Sequence, residues 1–322
     1  MIFTSFFWKQ KAREALKGHW LTALLIALVV NLPSMLVQGI AAYTGNDLLT
    51  RLQTVVSESV TGLTRETAAL DAEKLLAGMT ELQGDSGIWI MQGLNLAAWL
   101  LTPCLTLGMV HWMLTRLRKQ ASGDVTSVFS RMGLFLKGIG LRIYVAFRVF
   151  LWTLPGIALN VAAVLPLLLG GRESSIAALQ AANTSVGIQS AAMVVTAVLG
   201  ILAALKYALS DMVLADDPAL GPVKAAAESR RLTTGKRGPL FSLYISFLLW
   251  YLLAVMAANA AAGMMGPVPG LMVQMLASLA LTVYLNTSVC AFYLGCRKTE
   301  AAAAEDAEPA EEETEEESGI LP

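Results

Sequence analysis

The sequence predicts an all-α fold, a polytopic transmembrane bundle of six spans with interfacial helices and a disordered acidic C-terminal tail. Three observations carry that prediction. Six apolar stretches, at 20–42, 88–114, 145–169, 188–212, 239–263 and 271–294, each reach the ~20 residues that a helix rising ~1.5 Å per residue needs to cross a hydrocarbon core of about 30 Å. Lys and Arg gather in every second connection between those stretches. The 322 residues are 56% hydrophobic with a mean hydropathy of +0.60, which leaves too little polar surface for a soluble globule of this size.

The first element, 1–19, opens with Phe3, Phe6, Phe7 and Trp8 and continues through Lys9, Lys11, Arg13 and Lys17. Aromatics beside a basic helical stretch predict a helix lying in the cytoplasmic interface, with its bases near anionic headgroups. A flank that only orients the first span explains the same residues. The span that follows is too long for the apolar region of a signal peptide and contains Asn31 and Pro33, so it is read as retained.

The bases set the orientation. Lys9, Lys11, Arg13 and Lys17 precede the first span, Arg116, Arg118, Lys119, Arg131 and Lys137 separate the second from the third, Lys224, Arg230, Arg231, Lys236 and Arg237 separate the fourth from the fifth, and Arg297 and Lys298 follow the sixth. The other connections hold only Arg51, Arg65, Lys74 and Arg172. The positive-inside rule therefore places both termini in the cytoplasm. The domain division is 1–19, a six-span membrane domain at 20–298, and a tail at 299–322.

On the outer side, 43–87 carries seven acids against three bases and two short amphipathic patterns punctuated by Gly62 and Gly84. Both a face for an external partner and a solvated helical hairpin fit it. The second outer loop, 170–187, is short and polar. The third, 264–270, is a Gly/Pro turn that predicts a tight antiparallel hairpin of the last two spans. Between the second and third spans, Arg131, Lys137, Arg142 and Arg148 fall in a helical sector of roughly 140°. That pattern predicts a helix riding the cytoplasmic interface before the third span turns inward, because a base near the bilayer centre costs about 2.5 to 3.5 kcal/mol.

Candidate functional residues are the polar ones within apolar spans. Lys206 and Asp211 are the ionisable pair of the fourth span, and on one helix five residues separate side chains by about 140°, so each needs its own partner. Intramembrane charge points to a cation or proton pathway, while snorkelling to the nearby interface accounts for both residues without one. Asn31, Gln92, Asn95, Asn160, Asn259, Gln274 and Asn286 are amides within the spans. Convergence of Asn95, Asn160, Lys206 and Asn286 would line a cavity for a small solute. Used separately, such amides clamp helices together, in keeping with small residues such as Gly200, Ala204 and the 257–263 cluster. Prolines at 33, 103, 155 and 166 are expected to kink or break helices, or to be tolerated in membrane spans.

The run Glu228-Ser229-Arg230-Arg231-Leu232-Thr233-Thr234-Gly235-Lys236, followed by 240–250 (Leu-Phe-Ser-Leu-Tyr-Ile-Ser-Phe-Leu-Leu-Trp), resembles the central signature of a bacterial membrane family called domain of unknown function 975. Lys11-Ala12-Arg13, Leu151-Trp152 with Pro155-Gly156, Lys206-Tyr207-Ala208, Asp217-Pro218 and Phe292-Tyr293 support the resemblance. About fifty residues separate Gly156 from Lys206 here, where the family usually keeps those elements close. The resemblance implies a multi-pass bacterial membrane protein and supplies no reaction. Read physically, Gly235 suits a helix C-terminal cap and Pro239 the first turn of the fifth span. The five bases from Lys224 to Arg237 suit contact with anionic lipid, at about 1 kcal/mol each.

Catalytic patterns are absent: the sequence has no HExxH, P-loop, GxSxG or CxxC, and its two histidines, His19 and His111, stand far apart. Cys104, Cys290 and Cys296 show no metal-ligand spacing or disulfide framework, so no metal and no cofactor are expected. The net charge of -1 averages a basic membrane part with a tail bearing ten acids from Glu300 to Glu317, and nucleic acid is not an implied partner. The expected role is non-enzymatic: envelope organisation or assembly with membrane partners, with membrane lipids and a homo-oligomer or another membrane protein as neighbours. The alternative is a transporter of a small or lipid-like solute. A membrane enzyme would require a cluster of Asp211, Asp216, Asp217 and His111.

Overall fold

The computed structural model describes residues 5–37, 86–120, 125–169 and 175–305, so the expectations for 43–85 and for the acidic tail from 306 onward lie outside the described residues. The described chain is helical, with no strand. Its elements are α1 (Ser5–Leu16), α2 (Trp20–Val37), α3 (Ser86–Leu117), a 3₁₀ helix (Val125–Leu134), α4 (Phe135–Leu169), α5 (Ser175–Tyr207), α6 (Ser210–Asp216), α7 (Pro222–Thr233), α8 (Arg237–Met265) and α9 (Pro267–Glu305). Six helical segments are long and apolar enough to cross a membrane, as the hydropathy predicts.

Helix α1 presents Trp8, Ala12 and Leu16 on one stripe, four residues apart, and all three are buried. Their partners are mainly on α9, with α3 and α8 completing the seat. The chain then turns at Gly18, whose φ of 81° is the left-handed conformation that favours glycine. Helices α8 and α9 form the hairpin expected from the Gly/Pro turn, closed by Gly266 with a φ of 96°. Gly270 permits that closeness, since a Cβ there would overlap Ala262 and the Ala258 carbonyl. Helix α4 pairs with α5 in the same manner. At Gly156 a side chain would overlap Thr196.

Several local expectations are corrected. The predicted interfacial helix before the third span is replaced by the 3₁₀ helix and an unbroken α4 that carries Lys137, Arg142 and Arg148. The 3₁₀ helix docks against α3 where Gly108 leaves room for the Val128 carbonyl. The loop predicted at 170–187 is helical from Ser175. Of the two expectations for the prolines, tolerance holds at Pro33, Pro103 and Pro155, which lie within continuous helix. The fourth span, by contrast, breaks between Tyr207 and Ser210, where no proline or glycine stands.

Packing is unevenly distributed along the helices. The largest buried side chains, including Trp112, Phe247, Phe292 and Tyr293, belong to one core shared by α1, α3, α6, α7 and the adjoining ends of α8 and α9. That core lies at the end where the Lys- and Arg-rich connections meet, here termed the basic end. Toward the opposite end, large apolar side chains such as Trp89, Met264, Leu271 and Met272 are exposed. At 39 residues α9 is about 58 Å long, nearly twice the hydrocarbon thickness, so its C-terminal turns extend into the basic end.

Candidate functional site

The break in the fourth span is held by α7. The Leu209 amide donates to Ser229 Oγ at 3.2 Å, and Ser229 Oγ donates to the Lys206 carbonyl at 3.1 Å. Thr233 Oγ1 reaches the same carbonyl at 3.4 Å. Interrupting a helix strands backbone donors and acceptors, and one buried hydroxyl here serves one of each. Ser229 and Thr233, four residues apart on α7, therefore explain why part of the Ser-Arg-Arg-Leu-Thr run faces inward: it caps a neighbouring helix. Gly235, with a φ of 75°, then ends the α7 segment as its C-terminal position requires.

The break redirects Asp211 onto α6. Its carboxylate accepts from Arg142 Nη2 of α4 at 3.4 Å. Arg142 in turn lines a cavity of about 550 Å³ between α2, α3 and α4 whose walls include Ser34, Gln92, Asn95 and Thr102. Arg142 Nε is buried and donates to no atom among the described residues. A guanidinium with an uncommitted donor beside amide and hydroxyl groups offers hydrogen bonds to an anionic or carbonyl-bearing guest.

A second polar construction joins the elements at the basic end. Arg118 grips Asp216 with two parallel contacts, Nη1 to Oδ1 at 2.7 Å and Nη2 to Oδ2 at 2.9 Å. Tyr293 donates to the same carboxylate at 2.9 Å and accepts from Arg297 Nε at 3.1 Å. Arg297 reaches Glu228 at 3.5 Å, Glu228 holds Arg231 through contacts of 2.9 and 2.7 Å, and Arg231 closes on Glu300 at 3.0 Å. This ladder ties the end of α3 to α6, α7 and α9. Its Arg118–Asp216 and Arg231–Glu228 pairs have the bidentate geometry in which Arg–carboxylate contacts are strongest. The Arg231 hydrogen bonds hold the Glu228 carboxyl below the usual carboxylate range, and the hydrogen bond with Asp216 raises the Arg118 guanidinium above its ordinary value.

The five predicted site residues have separate environments. Lys206 lies over the Trp152 ring, 3.4 Å from its centroid. Asn160 donates to the Gly156 carbonyl at 3.0 Å and to Thr196 Oγ1 at 3.5 Å, joining α4 to α5. Asn286 donates to the Thr282 carbonyl one turn back at 2.9 Å. Asn95 lines the cavity, and Asp211 reaches it only through Arg142. Of the residues considered for an enzyme, Asp216 is held by Arg118 and Tyr293, Asp217 Oδ1 accepts the Ala219 amide at 3.0 Å, and His111 Nδ1 meets Arg131 Nη2 at 3.0 Å.

Arg142 and Ser229 are the residues that sequence reasoning passed over. By its charge alone the former reads as an interfacial base, and by its neighbours the latter reads as part of a membrane flank. A signal for Arg142 exists in retrospect, since Asp211 needed a base from another helix.

Helices of this length and apolarity, arranged as paired hairpins around a basic end, define a protein with six candidate membrane spans. A family model described as Protein of unknown function (DUF975) matches residues 4–300, and the chain belongs to that family. Comparison with curated proteins and with solved structures gave no match.

Proposed function

We propose that this chain is an assembly component of the bacterial cytoplasmic membrane, with its basic end in the cytoplasm, that associates with other membrane proteins or with copies of itself and performs no catalysis. The observation that carries this reading is Asn259. It is exposed on α8 within an apolar span, and no hydrogen-bond partner faces it among the described residues. Exposed Ala260 and Gly263 adjoin it, the latter one turn further along the helix. Small residues permit close approach of a second helix, and an amide in hydrocarbon gains from a partner across that contact. Retaining such a face toward lipid alone leaves a polar group unsatisfied.

Native mass spectrometry of the protein released from its own membrane tests this. A defined protein complex or oligomer that weakens in Asn259→Leu supports assembly, with an expected loss of about 0.6 to 2 kcal/mol in association. A monomer in both forms refutes it.

The cavity at Arg142 favours a second reading, transport of a small or lipid-like solute. Its guest would be a small molecule bound one per chain and released by Asn95→Ala or Arg142→Gln.

A further inference from the structure

A cavity of about 1170 Å³ opens at the basic end between α1, the C-terminus of α3 and the last turns of α9. Its wall carries Lys11, Lys17, Arg116, Lys119 and Lys298, against the single carboxylate of Glu14, which is already bonded to Gln10 at 3.1 Å. Arg118 and Arg297 complete the wall but are occupied by the carboxylate ladder described above. Lys17, Lys119 and Lys298 have no ion-pair or hydrogen-bond partner for their ammonium groups among the described residues.

A further observation points to a ligand. Arg116 stacks near Trp112, 5.9 Å from the ring centroid, and its Nε is buried without a hydrogen-bond partner among the described residues. Lys119 terminates α3 with a φ of 56°, the left-handed conformation that favours glycine, and it is the one non-glycine residue with positive φ among those described. A lysine tolerated there places its charge at the cavity rim, on a helix C-terminus whose own dipole favours cations. Like charges drawn from three helices around one cavity repel one another unless an anion sits among them.

We infer that this cavity is a binding site for a phosphate-bearing anion. Its cations are lysine ammonium groups around one arginine fork, the donor set that holds tetrahedral oxyanions. The phosphate belongs either to an anionic lipid headgroup or to a free phosphate compound. The site is distinct from the Arg142 cavity and from the Asn259 face, and it stands whether or not the chain assembles with partners.

The test uses the full chain in nanodiscs. In discs of phosphatidylcholine alone, calorimetric titration with inorganic pyrophosphate reads the free-phosphate arm. In discs containing phosphatidylglycerol, native mass spectrometry reads retained lipid, and added pyrophosphate competes for it. Saturation at one pyrophosphate per chain with no specific phosphatidylglycerol retention identifies a free phosphate compound; one retained phosphatidylglycerol displaced by pyrophosphate identifies a headgroup.

Lys119→Gly is the informative variant, because glycine accepts the backbone there while the charge is lost. It is expected to keep or raise the melting temperature and to weaken binding about fivefold. Lys17→Gln with Lys298→Gln is expected to weaken it about tenfold or more. Lys224→Gln removes a base outside the cavity and is expected to change binding less than about twofold. The inference is overturned if neither probe binds at one per chain, or if Lys224→Gln weakens binding as much as Lys119→Gly.

Discussion

The indole of Trp8 lies on the Cα of Gly295, so that any side chain added at 295 would occupy the space of the ring. Trp8 also meets Phe292 edge-on, with centroids 5.6 Å apart, one turn before the glycine. A helix at the start of the chain is thus seated on the last one by an aromatic ring and a bare backbone, and Lys9 adds a bond to the Ser246 carbonyl of α8 at 3.1 Å. Burial and the neighbouring Arg13 lower the Lys9 pKa below its ordinary value.

Gly295→Ala is expected to lift α1 from this seat at a cost of about 1 to 3 kcal/mol, the usual range for overpacking. Limited trypsin digestion reads the release directly, through faster cleavage at Lys9, Lys11 and Arg13. Unchanged cleavage and melting temperature would show that α1 is held by other contacts.

Ser229→Ala leaves the Leu209 amide without its acceptor and removes a donor from the Lys206 carbonyl. The Lys206 carbonyl keeps Thr233 Oγ1 at 3.4 Å, so the loss falls on the Leu209 amide at the helix break, and the expected cost is about 1 to 3 kcal/mol. Hydrogen exchange at residues 207–210 should accelerate in this variant while exchange in α8 does not. A Ser229→Ala protein with the exchange pattern of the wild type would refute the capping role.

The Glu228 carboxyl has a pKa lowered by its Arg231 hydrogen bonds. A carboxyl depressed in the folded state contributes stability that is present above its unfolded pKa, about 4.3, and is lost as pH falls through the folded value. Melting temperature measured from pH 7 down to pH 3 should therefore fall below about pH 4.5. In Glu228→Gln the curve should be lower at pH 7 and flatter on acidification. Equal slopes in the two proteins would remove Glu228 from the acid response.

Orientation is open to direct labelling. Cys104, Cys290 and Cys296 are all buried, so a single introduced cysteine reports with little background. In intact cells an impermeant maleimide is expected to label Gly62→Cys and to leave Ser318→Cys unlabelled until the membrane is opened. The reverse pattern would invert the topology.

Much of the fold was legible along the chain, and the reason differs from one element to the next. The hairpin of α8 and α9 follows from a Gly/Pro turn between two apolar runs, since neither run can leave the membrane in the space available. The Gly235 cap was readable because a left-handed position has few suitable residues. The break at 207–210 was not readable, because nothing in its own residues breaks a helix; its cause is a serine about twenty positions later that offers the backbone another partner. The same break turned Lys206 and Asp211 from neighbours on one span into residues of two helices, with Trp152 and Arg142 as their separate partners.

The sequence by itself determined the helical class, the six long apolar segments and the collection of bases at alternate connections. Those are sums over stretches of side chains, and the transfer free energy of a stretch depends little on what surrounds it. Only the tertiary structure decided that α1 is clamped beneath α9, that Arg142 stands at a cavity with Asp211 behind it, and that Lys17, Lys119 and Lys298 from three separate segments face one space. A hydrogen bond or an ion pair is settled within a few ångströms, between residues that the chain order leaves far apart, and their meeting is a property of the packed helices alone.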